Sequence, residues 1–308
     1  MIGGLADLAP AQIPAACALF ESVFGHSISP QQWHWKYLEG PRLGYLNLVI
    51  RDESGTLLGH FGASVFPGVC RGVSLPMAHL CDVMVAPGAR GGLNPSGVYP
   101  RLLVEMQRRL MTIYPGAFAY GYPGQRPFKL GERLGFYRRL YVCTEAVVQE
   151  PVRRRPRLLG WRVAPNAWDL AIADRIWSRL RASQNGPTVE RTGSYLAWRY
   201  RDHPRHQYRF WLLRRGFSDV GWFVTRELSD GYQWIVDSLI PSGCELSASC
   251  AALFSAMQQS IDVSFSLHTW LPLADATPSQ VVPVEFLIDA WRVDLTTPFF
   301  HPGDTDVF

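Results

Sequence analysis

The chain has 308 residues, of which 47% are hydrophobic and 18% charged, a balance typical of globular proteins with about two domains. Its formal net charge of +4 is too small to indicate a nucleic-acid-binding protein, and no apolar run approaches the ~18 residues of a membrane span. The six cysteines show no C-x-x-C spacing, which argues against a metal site and indicates reduced thiols. Because the N-terminus lacks a basic leader, we expect a cytoplasmic protein.

The first segment combines helices with antiparallel strands. Residues 14–24 carry hydrophobic side chains at helical spacing and are followed by Gly25, a pattern that predicts an amphipathic helix. Ser29 precedes a proline, which predicts a capped second helix. Residues 45–50 and 56–65 are rich in strand-forming residues and are separated by a turn, so they predict an antiparallel pair.

A strand, a glycine-rich loop and a helix follow. Residues 80–85 form a short apolar run typical of a buried strand. Residues 88–97 contain four glycines, and helical spacing of hydrophobic residues begins at Val98. A helix N-terminus after such a loop offers free N–H groups and the positive end of the helix dipole, so this segment predicts an anion site.

A second strand and a short helix complete this region. Residues 118–123 predict a strand, and residues 125–134 predict an amphipathic helix. Gly135 and Phe136 end that helix, and the glycine is expected to adopt the left-handed conformation of a C-terminal cap.

The order of these elements over residues 79–136 resembles the GNAT acyltransferase superfamily. In that family a strand carries the thioester arm of acetyl-CoA, an Arg/Gln-x-x-Gly-x-Gly/Ala loop binds the pyrophosphate, and a helix ends in Leu-Gly-Phe. The resemblance implies that acetyl-CoA, or another acyl-CoA, is the co-substrate. The implied binding residues are Val83, Met84, Val85, Arg90, Gly91, Gly92, Ser96, Gly97 and Gln125.

Three positions depart from the family pattern. The loop between Arg90 and Gly97 is longer than usual and contains Pro95. Gln125 replaces the family's common asparagine at the start of the last helix. Gly131 replaces a frequent tyrosine that protonates the departing thiolate, so the usual general acid has no counterpart at this position.

Acyl transfer to an amine requires a polarised thioester carbonyl, a deprotonated amine and a protonated leaving thiolate. The backbone of residues 83–85 would polarise the carbonyl. For the base, Asp82 on the central strand is the first candidate; a structural carboxylate is the alternative. The other candidate bases are His60, His79 and Glu132, and the candidate acids are Tyr122, then Tyr120, then Tyr137.

The second half of the chain repeats landmarks of the first. Trp35 and Trp198 are 163 positions apart, and the same offset pairs Tyr45 with Tyr208. We therefore predict an α/β chain of two tandem GNAT-like domains, each a mixed, mostly antiparallel twisted sheet flanked by helices. The predicted ranges are 1–150 for an acyl-CoA-binding domain, 151–165 for a basic linker and 166–308 for a degenerate copy. Two unrelated α/β halves are the alternative.

The second copy lacks the features of the anion site. Its loop, residues 241–245, has a single glycine and ends at Glu245, whose carboxylate would itself occupy the helix N-terminus. We therefore expect one CoA molecule per chain, bound by the first copy.

The sequence predicts an N-acyltransferase that takes a small-molecule or peptide amine and needs no metal. We expect a monomer or homodimer without nucleic-acid or membrane partners. The alternative is an inactive CoA-binding or protein-interaction module, which Gly131 favours. An aminoacyl transferase that uses charged transfer RNA is disfavoured, because the chain lacks a large basic face.

Overall fold

The computed structural model describes residues 2–91, 94–148, 161–229, 231–242, 244–261, 265–279, 281–288 and 300–304. Its helices are Ile13–Phe24 (α1), Pro30–Leu38 (α2), Val98–Ile113 (α3), Gln125–Arg133 (α4), Leu170–Leu180 (α5), Gly193–Leu196 (α6), which continues as a π-helix over Ala197–Arg201, and Leu246–Gln258 (α7). No helix within these ranges is long and apolar enough to cross a membrane.

The strands alternate with the helices along the chain. In order they are Ile2–Asp7 (β1), Gly44–Asp52 (β2), Leu57–Cys70 (β3), Val73–Val85 (β4), Phe118–Gly121 (β5), Tyr137–Arg139 (β6), Thr144–Val147 (β7), Trp161–Asn166 (β8), Thr188–Val189 (β9), Arg209–Arg215 (β10), Ser218–Ser229 (β11), Tyr232–Leu239 (β12), Ser266–Thr269 (β13), Thr277–Pro278 (β14) and Val284–Phe286 (β15).

The chain forms two compact units. The first consists of Met1–Val69, Ser74–Tyr141 and Val282–Leu295, and the second of Cys70–Val73, Val142–Val281 and Thr296–Phe308. These units differ from the predicted ranges chiefly at residues 142–150 and 282–295. Of the predicted linker, residues 151–160 lie outside the described residues, and residues 161–165 belong to β8.

The sheet of the first unit is mixed and mostly antiparallel, with the order β1-β2-β3-β4-β5-β15-β6. β4 and β5 run parallel, whereas β15, from near the end of the chain, lies antiparallel between β5 and β6. One face packs against the apolar side of α3, and the other against α1 and α2. The predicted architecture of a mixed sheet flanked by helices is therefore confirmed.

The sheet of the second unit repeats this plan in the order β14-β7-β13-β12-β11-β10-β8. β12 and β13 are parallel, as β4 and β5 are in the first sheet. β7 lies between β13 and β14, the place that β15 takes in the first sheet. Each sheet thus contains a short strand from the other half of the sequence, which explains why the compact units depart from a simple division of the chain.

Local sequence signals explain several element ends. Ser29 caps α2 by accepting the N–H of Gln32, whose side chain in turn accepts the N–H of Ser29. Gly135 has a φ of +77°, and the N–H of Phe136 donates to the carbonyl of Gly131, which confirms the predicted left-handed cap. β1 was not predicted, because two glycines occupy it; it pairs antiparallel with β2.

Candidate functional site

The site is organised by a β-bulge in the central strand β4. Leu80 and Val83 pack in the core beside α3, whereas Cys81 and Met84 pack in the core beside α1 and α2. Regular alternation would place residues three apart on opposite faces, so the strand contains one extra residue. That residue is Asp82, whose φ of +49° is unusual for a residue other than glycine.

The pairing of β4 with β5 ends just before the bulge. It runs in parallel from Met77 opposite Phe118 to Leu80 opposite Gly121, the last residue of β5. The backbone of Val83–Val85, beyond the bulge, therefore has no partner on β5, and Tyr122 directly follows that strand.

The side chain of Asp82 is buried and bonded to two neighbouring side chains. Its side chain accepts bonds from the ammonium group of Lys36 at 2.7 Å and from the hydroxyl of Tyr37 at 2.6 Å, and the residue is only 8% exposed. Burial, followed by the charge of Asp82, raises the pKa of Tyr37 well above its usual range, so this phenol stays a donor. Asp82 is thus a buried ion pair, which argues against the predicted role of a free general base.

His60 also contacts the bulge. Its Nδ1 lies 2.8 Å from the carbonyl oxygen of Asp82, and its Nε2 lies 3.1 Å from Oδ1 of Asn47. Burial lowers the pKa of His60 to about 4, so the imidazole is neutral and has a single N–H donor. That N–H is on Nδ1 and donates to the Asp82 carbonyl. Nε2 is therefore an acceptor, and the Asn47 amide donates to it through its NH₂ group. His60 fixes the backbone of the bulge and does not act as a solvent-exposed base.

Tyr120, Tyr122 and His79 form an aromatic group on one face of the sheet. Tyr120 stacks on His79 with ring centroids 5.1 Å apart, and Tyr122 meets both rings edge-on at 6.3 and 6.2 Å. The two tyrosines therefore lie on the same face, as residues two apart on a strand do. Tyr120 is buried in the sheet, whereas Tyr122 is half-buried and lies where β5 ends.

Gly131 makes room for another tyrosine. A Cβ atom at Gly131 would lie 2.2 Å from the ring of Tyr137, so the family's tyrosine could not be accommodated here. Tyr137 itself is buried, and burial raises its pKa well above the usual range. Its neighbour Tyr99 donates to the carbonyl of Pro127 at 3.0 Å, which ties α3 to α4. Tyr137, the third candidate acid, is part of this packing.

The glycine-rich loop joins β4 to α3. Arg90 is exposed, and its Nε donates to the carbonyl of Val85 at 3.2 Å, so its guanidinium stays close to the end of β4. The side chain of Asn94 accepts the N–H of Ser96 at 3.0 Å and shapes the second part of the loop. Gly91 has open space where a Cβ would project, and Gly92 lies outside the described residues.

Gly97 is the N-cap of α3. A Cβ at this position would lie 2.9 Å from the carbonyl oxygen of Asn94, a contact that explains the need for glycine. The N–H groups of Val98 and Tyr99 lie in the first turn, where α-helices offer no intrahelical acceptor, and Pro100 has no N–H to add. Together with Arg90, these two N–H groups can hold an anion. Because of Pro100, the first turn of α3 offers one N–H donor fewer than a first turn without proline.

Two more predicted residues lie on α4. Gln125 is its first residue, directly after the N-cap Gly124, and has an exposed side chain. Glu132, an alternative base, is exposed towards the other end of the helix. The described part of the chain contains no group of three or more His, Cys, Asp or Glu side chains that could hold a metal ion.

A second bulge lies at the matching place in the second sheet. Asp237 is opposite Val224 and Ile235 is opposite Thr225, so Val236 is the extra residue of β12. The hydroxyl of Tyr200 donates to Asp237 at 2.7 Å, as that of Tyr37 does to Asp82. Sequence reasoning missed this tyrosine–aspartate pair, although the 163-residue offset that relates Trp35 to Trp198 also relates Tyr37 to Tyr200.

Comparisons with known proteins agree with this geometry. Residues 6–139 match the family described as the acetyltransferase (GNAT) domain. None of the curated proteins matches the chain by sequence.

Solved structures share the fold over nearly the whole chain. A conserved protein of unknown function from Enterococcus faecalis V583 has a TM-score of 0.68 and 14% identity, covering 92% of this chain and 70% of its own. GCN5-related N-acetyltransferases from Anabaena variabilis ATCC 29413 and Kribbella flavida have TM-scores of 0.64 and 0.61, both with 17% identity, covering 93% and 92% of this chain and 73% and 71% of theirs. Residues 6–139 thus match the model of the acetyltransferase (GNAT) domain, and the chain has the fold of GCN5-related N-acetyltransferases over nearly its whole length.

Proposed function

We propose that the first unit binds an acyl-CoA, with acetyl-CoA as the first choice, and transfers the acyl group to an amine. The observation that carries this proposal is that the pairing of β4 with β5 ends at Leu80, so that the backbone of Val83–Val85 has no partner on β5 just before the loop that leads to α3. Strand backbone without a partner next to a helix N-terminus can be reached by one extended ligand. The amine acceptor is a small molecule or a peptide.

The residues present fit such a ligand. The backbone of Val83–Val85, which has no partner on β5, would polarise the thioester carbonyl. Arg90 and the N–H groups of Val98 and Tyr99 would hold the pyrophosphate, and Gly91 leaves room for its approach. Bound acetyl-CoA supplies the activated acyl group. We retain Ser96, Gly97 and Gln125 as residues that shape this end of the site, and Met84 as part of the strand.

We assign proton transfer to the aromatic group of His79, Tyr120 and Tyr122. We propose Tyr122 as the acid that protonates the leaving thiolate, because it is half-buried and directly follows β5 where the pairing with β4 ends. Tyr120 is the second choice, since its ring is buried against His79. The ion pair with Lys36 removes Asp82 from the proposed bases. His79, in ring contact with Tyr122, replaces it.

Calorimetry with CoA tests the binding step. We expect about one equivalent per chain, and Arg90→Ala should weaken binding by about 1–3 kcal/mol, the range for a charge-assisted hydrogen bond. Arg214→Ala is the matched control, because Arg214 pairs with Asp219 in the second unit. Two equal sites per chain, or wild-type affinity of the Arg90 variant, would contradict the proposal.

Turnover separates an enzyme from a binding module. The protein is incubated with acetyl-CoA and a panel of amines and peptides, and thiol release is followed. Tyr122→Phe should reduce turnover about 10²-fold while leaving CoA affinity nearly unchanged, because the phenol acts only when the thiolate leaves. If CoA binds but no acceptor in a broad panel is acylated, the inactive module, which Gly131 favours, is the better description.

A further inference from the structure

Beyond the bulge, the backbone groups of β4 face its two edges in turn. The N–H of Ala86 donates to the carbonyl of Leu58 at 2.9 Å, and the carbonyl oxygen of Met84 lies 3.0 Å from where a Cβ on Gly59 would be. Leu58 and Gly59 belong to β3, so Met84 and Ala86 direct their backbone groups to β3. Because such groups alternate between the two edges of a strand, the N–H of Val83 lies on the opposite edge.

This opposite edge is the one on which β5 pairs with the earlier part of β4. The pairing ends at Leu80, so the N–H of Val83 has no partner on β5. Val85, two positions further on, presents its carbonyl to the same edge, where it accepts a hydrogen bond from Nε of Arg90 at 3.2 Å. The backbone donor of Val83 and the guanidinium of Arg90 therefore lie along one edge of β4.

His60, on β3, holds the peptide group that carries this N–H. Its Nδ1 donates to the carbonyl of Asp82 at 2.8 Å. A trans peptide group is planar, so the C=O of Asp82 and the N–H of Val83 point in opposite directions. The bond draws the carbonyl towards β3 and thereby directs the N–H of Val83 away from β3. His60 is fully buried and is itself held by Asn47, so its ring has little freedom to turn.

The backbone at Asp82 needs such a constraint. Its φ of +49° is a conformation that residues other than glycine rarely adopt, so contacts with the surroundings must maintain it. Lys36 and Tyr37 hold the side chain of Asp82, whereas His60 holds its carbonyl. The side-chain bonds fix the position of the residue, and the bond from His60 acts on the peptide group that aims the next N–H.

The second copy lacks this bond. Trp222 directly follows Gly221 in β11, as His60 follows Gly59 in β3. The one polar atom of its side chain, Nε1, is buried and has no hydrogen-bond partner among the described residues. Both sheets have a bulge, but the imidazole occurs in the copy that also has the glycine-rich loop. This pattern is expected if His60 serves the acyl-CoA site rather than the fold.

We propose that His60 is a positioning residue for acyl transfer: through the Asp82 carbonyl it directs the N–H of Val83 to the thioester carbonyl, a role that rests on the acyl-CoA binding proposed for the first unit. Negative charge gathers on the thioester oxygen while the amine nitrogen forms the C–N bond, and it leaves that oxygen when the C–S bond breaks. A donor already aimed at this oxygen stabilises the charge without reorganisation. His60 neither gains nor loses a proton in these steps; the amine gives its proton to the aromatic group, and the thiolate receives one from it.

The test is infrared difference spectroscopy of the full chain with acetyl-CoA that carries ¹³C at the thioester carbonyl. Bound to the wild type, this carbonyl should absorb at a lower frequency than in free acetyl-CoA, because the hydrogen bond polarises it. His60→Asn and His60→Gln are a matched pair, since the amide nitrogen of asparagine reaches the place of Nδ1 and that of glutamine the place of Nε2. His60→Asn should keep most of the shift and His60→Gln should lose most of it. His60→Leu, which has no donor, serves if His60→Gln fails to fold.

Calorimetry and kinetics give a second measurement. CoA has no thioester carbonyl, so His60→Gln should bind CoA like the wild type. With an amine that is turned over, kcat should fall about tenfold or more while KM for acetyl-CoA changes little, because a misdirected donor is lost only to the developing charge. Val49→Ala, a buried change opposite His60 in β2, is the control and should leave the band in place.

Three results would overturn the role of His60: an unshifted band in the wild type, the same band in the wild type and His60→Gln, or equal losses of the shift in His60→Asn and His60→Gln. The last result would mark His60 as a packing residue. If the wild type binds neither acetyl-CoA nor CoA, the proposed function itself fails, and the role of His60 fails with it.

Discussion

Both sheets have a bulge in the central strand, next to an aspartate that is neutralised by different partners. In the first, Asp82 bonds to Tyr37 and Lys36; in the second, Asp237 bonds to Tyr200 and to the fully buried Arg191. Arg191 also bonds to Asp304, near the end of the chain, at 2.7 Å. The two sheets therefore share the tyrosine–aspartate bond and differ in the cation that neutralises the carboxylate.

A second difference lies on the strands before the bulge. Val49 is opposite His60 in the first sheet, and Leu212 is opposite Trp222 at the equivalent place in the second. Where the first sheet has the polar contact of His60 with Asn47, the second has an aromatic contact, with Phe210 and Trp222 centroids 5.9 Å apart. His60 of the polar pair bonds to the Asp82 carbonyl, whereas the aromatic pair is held by ring packing.

The loops after the central strands differ most. The first runs through four glycines to the N-cap Gly97, whereas the second is short and ends with Glu245 as the N-cap of α7. The Glu245 side chain is exposed and makes no cap hydrogen bond. A carboxylate at this position repels an anionic ligand, so the comparison supports placing CoA in the first unit alone.

The largest expected effect concerns the buried carboxylates. Asp237→Ala should lower the free energy of unfolding by about 3–5 kcal/mol, because it leaves the buried Arg191 with Asp304 alone. Asp82→Ala should cost less, since Lys36 retains 12% side-chain exposure against 2% for Arg191. Urea denaturation measures both. Asp219→Ala, at a partly exposed ion pair, is the control and should cost about 1 kcal/mol or less. Equal losses at positions 82 and 237 would break the comparison.

The next effect is the contribution of His60 to the pH dependence of stability. Between pH 6.5 and about 4 the unfolded chain binds a proton at His60 and the folded chain does not, so stability falls as the pH is lowered through this window. The shift corresponds to about 3 kcal/mol. His60→Gln should make the profile of unfolding free energy against pH less steep, with His203 and His206 still contributing to its slope, whereas Val49→Ala should lower the profile without changing its slope. Identical slopes for the wild type and His60→Gln would refute this.

Loss of the repeated tyrosine hydroxyl should have a similar effect in both units. Tyr37→Phe and Tyr200→Phe each remove one O–H bond to a buried carboxylate, at 2.6 and 2.7 Å, and should each cost about 1.5–3 kcal/mol. Tyr45→Phe, at an exposed tyrosine, is the control. A cost in one unit alone, measured by denaturation, would show that the two bonds are not equivalent.

The smallest effect concerns two glycines at similar places in the two sheets, Gly59 in β3 and Gly221 in β11. A Cβ at Gly221 would lie 2.4 Å from the carbonyl oxygen of Leu239, which belongs to the backbone. A Cβ at Gly59 would lie 2.4 Å from a side-chain atom of Val98, which can adjust more easily, and 3.0 Å from the Met84 carbonyl. Gly221→Ala should therefore cost about 1–3 kcal/mol and Gly59→Ala less. Gly4→Ala, with open space at the Cβ, should be nearly neutral. The reverse order in denaturation would contradict the packing argument.

Much of the first unit could be predicted from local sequence. The cap at Ser29, the left-handed Gly135 and the helix beginning after Gly97 depend on residues close in the chain, and each agrees with the structure. The duplication was also predictable, because Trp35 and Trp198 are landmarks within similar helices.

Other features depend on contacts between distant residues. Asp82 has the residue type of a general base, and only its contacts with Lys36 and Tyr37, more than forty positions away, show that it is an ion pair. Gly131 marks the loss of a tyrosine, but the ring of Tyr137 that fills its place is visible only in the structure.

The sequence by itself determined the order of most helices and strands between residues 14 and 136, the glycine-rich loop and the repeated landmarks, because periodicity, capping and turn residues act over a few positions. The tertiary structure decided which sheet β7 and β15 join and how Asp82 is neutralised. The physical reason is that strand pairing and buried charge depend on partners far apart in the chain, which no local pattern encodes.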